Sequence, residues 1–154
     1  MTVSALRWFK AALVLQMLLL AYWLAMELID IFPWNDLALR PPGYDLRWSV
    51  SINALQMLAY MILFALGIQT LAMLSVLGYA GYLAWQLWIW WKPYVLGASS
   101  DWQTLYAESF SRTLKLLPAE GVHIAPDAQH MALQVLTLLT LIATVMAVAR
   151  MQHL

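Results

Sequence analysis

The chain has 154 residues, of which 64% are hydrophobic and only 10% charged, with a mean hydropathy of +0.72. Ordinary soluble domains carry roughly 25% charged residues, and a soluble globule could not hide this much apolar surface, so lipid is the expected solvent for much of the chain. A formal net charge of zero argues against a nucleic-acid partner, and the absence of cysteine excludes thiol redox chemistry, Cys-ligated zinc and disulfides.

A basic lead (Arg7, Lys10) with Trp8 and Phe9 as interface anchors opens the chain. Residues 11–29 then form a first expected span. This run is longer than a secretory h-region, carries Tyr22 and Trp23 near its end and lacks a small-x-small cleavage site, so an uncleaved span is expected. Glu27 and Asp30 stand three apart at its far end, on one face if the helix continues.

Residues 31–48 read as a loop. Pro33, Pro41, Pro42 and Gly43 interrupt any helix. Arg40 and Arg47 are placed to answer Asp36 and Asp45. Phe32, Trp34, Tyr44 and Trp48 suit a headgroup-level position.

Residues 49–91 contain no charged side chain. A span needs roughly 20 apolar residues, so this run reads as a hairpin of two spans, 49–66 and 71–91, turning near Gly67 to Thr70. Its end is rich in aromatics: Trp85, Trp88, Trp90, Trp91 and Tyr94 suggest a membrane-exit belt, with Lys92 snorkelling and Pro93 closing the helix.

Within 92–129, Ser100 to Gln103 reads as a capping box. Trp102, Leu105, Tyr106, Phe110, Leu114 and Leu117 then follow helical spacing, which predicts an amphipathic interfacial helix over 102–117, stopped by Pro118. Residues 130–148 form the fourth span. The expected fold is an all-α integral membrane protein: one domain, four transmembrane helices and one interfacial helix. Segments 31–48 and 92–129 share one face. Arg7, Lys10 and Arg150 stand without acids on the other, which favours cytoplasmic termini and an outer position for the two long segments. Four-helix membrane proteins that oxidise thiols share this span count, but their chemistry needs cysteines and this chain has none.

Polar residues inside spans are costly and mark candidate sites. Asn53, Gln56 and Tyr60 share a face of the second span, Gln86 lies on the third, Gln134 and Thr137 on the fourth, and Glu27 ends the first. With this topology they gather toward the outer end, with Gln16 and Gln69 deeper. Glu27, Asp30, Asn53, Gln56, Tyr60, Gln86 and Gln134 are therefore the candidate ligand-binding set of an outer vestibule roofed by the amphipathic helix. The alternative is ordinary interhelical hydrogen bonding.

His123, Asp127 and His130 are the candidate metal set, since imidazole and carboxylate are legitimate ligands, although their spacing matches no standard motif. With Glu108 they are also the candidate catalytic set. Glu108 and Arg112 otherwise form an i,i+4 surface pair, and Asp127 a helix N-terminus. Three functions follow. The leading one is a non-catalytic accessory subunit, or a binder of a lipid-like or quinone-like ligand. The others are a membrane enzyme working at the outer surface and an oligomeric channel or carrier. The expected partners are the bilayer and a second copy or another membrane protein. The sequence does not identify a cofactor.

Overall fold

A computed structural model describes residues 3–40 and 43–151; Pro41, Pro42 and the last three residues of the tail lie outside the described residues. The described chain is helical, with one isolated backbone bridge between Lys115 and Asp127. Its helices are α1 (Val3–Leu28), α2 (Leu46–Ala65), α3 (Gln69–Leu96), α4 (Ser100–Phe110) and α5 (Ala128–Met151), with a short 3-10 turn at Leu37–Leu39. Four of them, α1, α2, α3 and α5, are long and apolar enough to cross a membrane.

The four long helices run up and down in a ring. Sequential helices are neighbours, and α5 closes the ring by packing against both α1 and α3. The middle of α5 buries small residues, with Thr137, Thr140, Ala143, Thr144 and Ala147 all inaccessible or nearly so. Small side chains let helix backbones approach closely. At the terminal end, Phe9 of α1 stacks on Phe64 of α2 with ring centres 4.9 Å apart. Nearer the loop end, Leu19, Trp23, Met57, Tyr79 and Leu133 form a second cluster.

Helix ends follow local chemistry. Asn35 stops α1. Its Nδ2 donates to the carbonyls of Met26 and Ile29, both at 2.8 Å, while its Oδ1 accepts from the Ile31 N–H. The helix therefore ends at Leu28, and Asp30 does not share its face with Glu27 as the spacing suggested. The Asp45 carboxylate caps α2 by accepting from the Trp48 N–H at 3.0 Å. Gly67, with φ of +69°, makes the reversal into α3.

Two expected helix ends shift. α3 runs through Pro93 to Leu96 and stops at Gly97, whose φ is +87°. Segment 120–123 holds this last turn. His123 Nδ1 lies 2.8 Å from the Tyr94 carbonyl, and the Ala98 N–H donates to Val122. Conversely, α4 is capped by Ser99 and ends at Phe110, so it does not reach residue 117. Tertiary bonds draw the chain out of the helix there. The Leu114 N–H donates to the Pro33 carbonyl at 2.7 Å, and its own carbonyl accepts from Ala128 at 2.8 Å. Lys115 Nζ binds the carbonyls of Phe110 and Ser111. The segments 31–40 and 111–127 are thereby tied together across the loop end of the bundle.

Candidate functional site

The site is built around the first turn of α5. Asp127 is fully buried, and its Oδ1 accepts from the backbone N–H of His130 at 3.0 Å, an N-terminal cap. The same oxygen takes the His130 ring Nδ1 at 2.6 Å. Oδ2 accepts from the Thr113 hydroxyl at 2.9 Å. Burial alone raises a carboxyl pKa, but here the His130 ring and backbone and the Thr113 hydroxyl outweigh it and hold Asp127 below the ordinary carboxylate value.

With Nδ1 committed to a carboxylate, His130 has Nε2 to offer. The ring is clamped by aromatics: Trp90 lies against it at 3.9 Å between ring centres, and Phe110 meets it edge-on at 5.3 Å. Trp90 is in turn covered by Trp102 and Tyr106 of α4. Tyr106 donates to the Ala125 carbonyl at 2.9 Å, and burial pushes its phenol up to about 12.

Two spaces adjoin this histidine. The first, a chamber of about 340 Å³, lies under α4 and the Leu37–Leu39 turn. Its walls are largely apolar, with Trp23, Met26, Leu39, Leu105, Phe110 and Leu133 among them. Polar groups enter at a few points. Ser109 Oγ and Trp102 Nε1 are buried, line the chamber and have no hydrogen-bond partner. Tyr22 accepts from Trp34 Nε1 at 3.0 Å and donates to the Gln129 carbonyl at 2.8 Å. At the rim, Arg40 lies 3.7 Å from the Glu27 carboxylate and also binds the Glu27 carbonyl. Tyr44 donates to the same carboxylate at 2.9 Å.

The second space, about 440 Å³, is a slot between α2 and α3. It carries Asn53, Gln56 and Tyr60 on one wall and Gly78, Gly81, Trp85 and Gln86 on the other. The two spaces share Trp23, His130 and Leu133 as a common boundary.

The sequence candidates thus divide. Glu27 and His130 line the chamber, while Asn53, Gln56, Tyr60 and Gln86 line the slot, again beside His130. Gln134 serves instead as a link between helices, accepting from Trp91 Nε1 at 2.8 Å. Asp30 and Glu108 are exposed and line neither space. The expected Glu108–Arg112 pair gives way to a longer-range one, because the end of α4 at Phe110 frees Arg112 to meet Asp36 at 2.9 Å. Arg40 accordingly answers Glu27 rather than Asp36, and Asp45 is spent on its helix cap.

His123, Asp127 and His130 do not assemble as ligands. His123 turns away to Tyr94, and among the described residues no group of three His, Asp or Glu side chains is placed to hold a metal ion. The expected belt of tryptophans also splits. Trp85 and Trp88 are exposed, with Lys92 Nζ 4.4 Å above the Trp88 ring, whereas Trp90 is buried against His130.

Ser109 was not singled out by residue type, yet it stands at seven from Trp102 and four from Leu105. The helical spacing already placed it on the inward face of α4. Thr140 and Thr144, which follow Thr137 on α5, were likewise available to the same count. No family model, curated protein sequence or solved structure matches this chain, so the roles of these residues rest on their own geometry.

Proposed function

We propose that the chain is a multi-pass membrane protein with cytoplasmic termini, which binds a lipid-like or quinone-like ligand in the outer chamber beside His130. The observation that carries this reading is the chamber itself. Its volume of about 340 Å³ falls within the ~300–1,000 Å³ of small-molecule sites, and it joins apolar aromatic walls to a few convergent polar groups. Trp23, Trp102, Phe110 and His130 supply flat surfaces for a ring. Trp102 Nε1, Ser109 Oγ and His130 Nε2 supply hydrogen-bonding points for its oxygens.

Insertion is supported by the outward faces of the spans, where Leu55, Ile62, Leu77 and Val135 are all more than half exposed. Arg7, Lys10 and Arg150 flank the terminal end, and Arg150 lies over Trp8 at 5.4 Å. Exposed Trp85 and Trp88 with Lys92 suit an outer interface. The bundle axis is filled by Leu19, Phe64 and Tyr79, which favours a binder over a pathway through one chain.

Native mass spectrometry of the mildly solubilised protein tests the reading. A retained small amphiphile, lost in Ser109→Trp, is the expected result; a bare wild-type chain with an intact fold overturns it. Because the chain has no cysteine, Ser111→Cys reports orientation directly. Labelling of that exposed thiol from outside intact cells is expected, and labelling only after lysis reverses the topology.

The Asp127–His130 pair also favours a second reading, acid–base catalysis at Nε2. It makes His130 indispensable and leaves Glu108 and His123 dispensable. Retained function in His130→Gln rejects it.

A further inference from the structure

The slot between α2 and α3 is hard to explain as packing. Gln86 is 6% exposed, and its Nε2 donates to Thr137 at 3.1 Å, yet its Oε1 has no partner and the residue lines the slot. A buried acceptor without a donor is costly in hydrocarbon. The opposite wall is more self-sufficient than its residue types suggest. Gln56 Nε2 donates to the Tyr60 hydroxyl at 2.7 Å, and Asn53 Nδ2 to the Ser49 carbonyl at 2.9 Å, so these donors are turned back onto α2. What they leave open is volume. An ideal Cβ at Gly81 meets no atom within 4 Å, although the glycine lies within a helix.

The slot extends along α3 from Trp90 to Leu77, about 20 Å at 1.5 Å per residue. That length matches an extended hydrocarbon tail. At its upper end stand Trp23, His130 and Leu133, which also bound the outer chamber.

We infer that one ligand occupies both spaces, with its head in the chamber against His130 and a single hydrocarbon tail descending the slot between α2 and α3. This rests on the proposed ligand site and extends it, since it assigns the ligand class as a single-tailed amphiphile and its route as lateral, from the bilayer. The head carries an oxygen facing His130 Nε2. A hydroxyl close to the tail junction satisfies Gln86 Oε1.

The test uses two probes, 2,3-dimethoxy-5-methyl-1,4-hydroquinone without a tail and its decyl-tailed form, whose ring hydroxyls stand next to the tail. Both are titrated against tryptophan fluorescence of the protein in nanodiscs of matched lipid content. Gly81→Leu enters the slot from a Cβ position with no atom within 4 Å and improves helix propensity, so its fold is expected to hold. Leu77→Phe, at an exposed slot residue, gives an independent constriction.

Both variants are expected to weaken the tailed probe about tenfold or more, because several methylenes lose their burial. The tailless probe should bind as to wild type. Unchanged binding of the tailed probe in both variants overturns the slot while leaving the chamber in place. Failure of both probes to bind the wild type removes chamber and slot together. Disulfide-linked dimers of Gln56→Cys in native membranes would mean that a second copy covers this face, which also overturns the tail site.

Discussion

Asp127 Oδ1 accepts two hydrogen bonds from one residue, the backbone N–H of His130 at 3.0 Å and its ring Nδ1 at 2.6 Å. A single carboxylate therefore starts the last helix and aims the imidazole. The two duties separate by substitution. Asp127→Ala removes the cap and strands the ring, while the Thr113 hydroxyl keeps the Phe110 carbonyl at 2.8 Å; it is expected to cost about 3 kcal/mol. Asp127→Asn keeps an oxygen acceptor for the cap but not the charge that holds the ring. It is expected to cost about 1 kcal/mol and to lose His130-dependent binding. Thermal midpoints in detergent, read beside ligand affinity, distinguish the two, and equal losses in both variants would refute the division.

The same carboxylate sets an acid limit. Its pKa is lowered in the folded chain from the ordinary carboxylate value of 3.8, so the unfolded chain binds the proton first as pH falls. The resulting stability is complete above the unfolded value and lost as pH drops through the folded one. Tyr106 sets the alkaline limit with the opposite sign. Its pKa is raised from 10.0 to about 12, so its contribution is complete below 10 and lost as pH rises through about 12. Circular dichroism and tryptophan emission of the solubilised protein should show a plateau between these limits. Asp127→Asn should flatten the acid edge, and Tyr106→Phe the alkaline one.

The contrast between α3 and α4 shows where sequence pattern was sufficient. Hydropathy alone placed the four helices long and apolar enough to span a membrane, because exposed and buried apolar residues both count toward it. The face shared by Asn53, Gln56 and Tyr60 followed from helical spacing, and all three do line one slot. The spacing of Leu114 and Leu117 was equally helical, but their segment is held by Pro33 and Ala128 in tertiary bonds that no local pattern carries. Trp90 is the sharpest case. Its neighbours at an aromatic-rich helix end suggested a lipid interface, and only the arrival of α4 and His130 makes it core. Asp36 and Arg112, 76 positions apart, had nearer candidate partners on both sides.

The two glycines of α3 should respond oppositely to alanine. A Cβ at Gly78 would come within 2.4 Å of the Tyr60 ring. That ring is held on one side by Gln56 and on the other by Tyr79, edge-on at 5.3 Å. Gly78→Ala is expected to displace it and cost about 1–3 kcal/mol. Gly81→Ala meets nothing and gains helix propensity, so it should be neutral or stabilising by up to about 1 kcal/mol. Equal thermal midpoints for the two variants would mean that α2 and α3 are not packed this closely.

Deeper in the bundle, Gln16 Nε2 donates to the Thr144 hydroxyl at 3.1 Å, while Gln16 Oε1 is buried without a partner. The two ends of this bond are not equivalent. Thr144 passes its own proton to the Thr140 carbonyl at 2.7 Å, so it has a second bond to keep if Gln16 is lost. Gln16 has none. Gln16→Leu removes the unpartnered oxygen together with the bond and is expected to change stability by less than about 0.5 kcal/mol. Thr144→Val leaves the whole Gln16 amide unsatisfied and should cost about 1–2 kcal/mol. Adding Gln16→Leu to Thr144→Val should recover most of that loss, since the stranded amide is then gone. Unfolding measurements on the two single variants and the double decide it; a double variant as unstable as the sum of the singles would show that the cost lies in packing around Thr144, not in the amide it leaves behind.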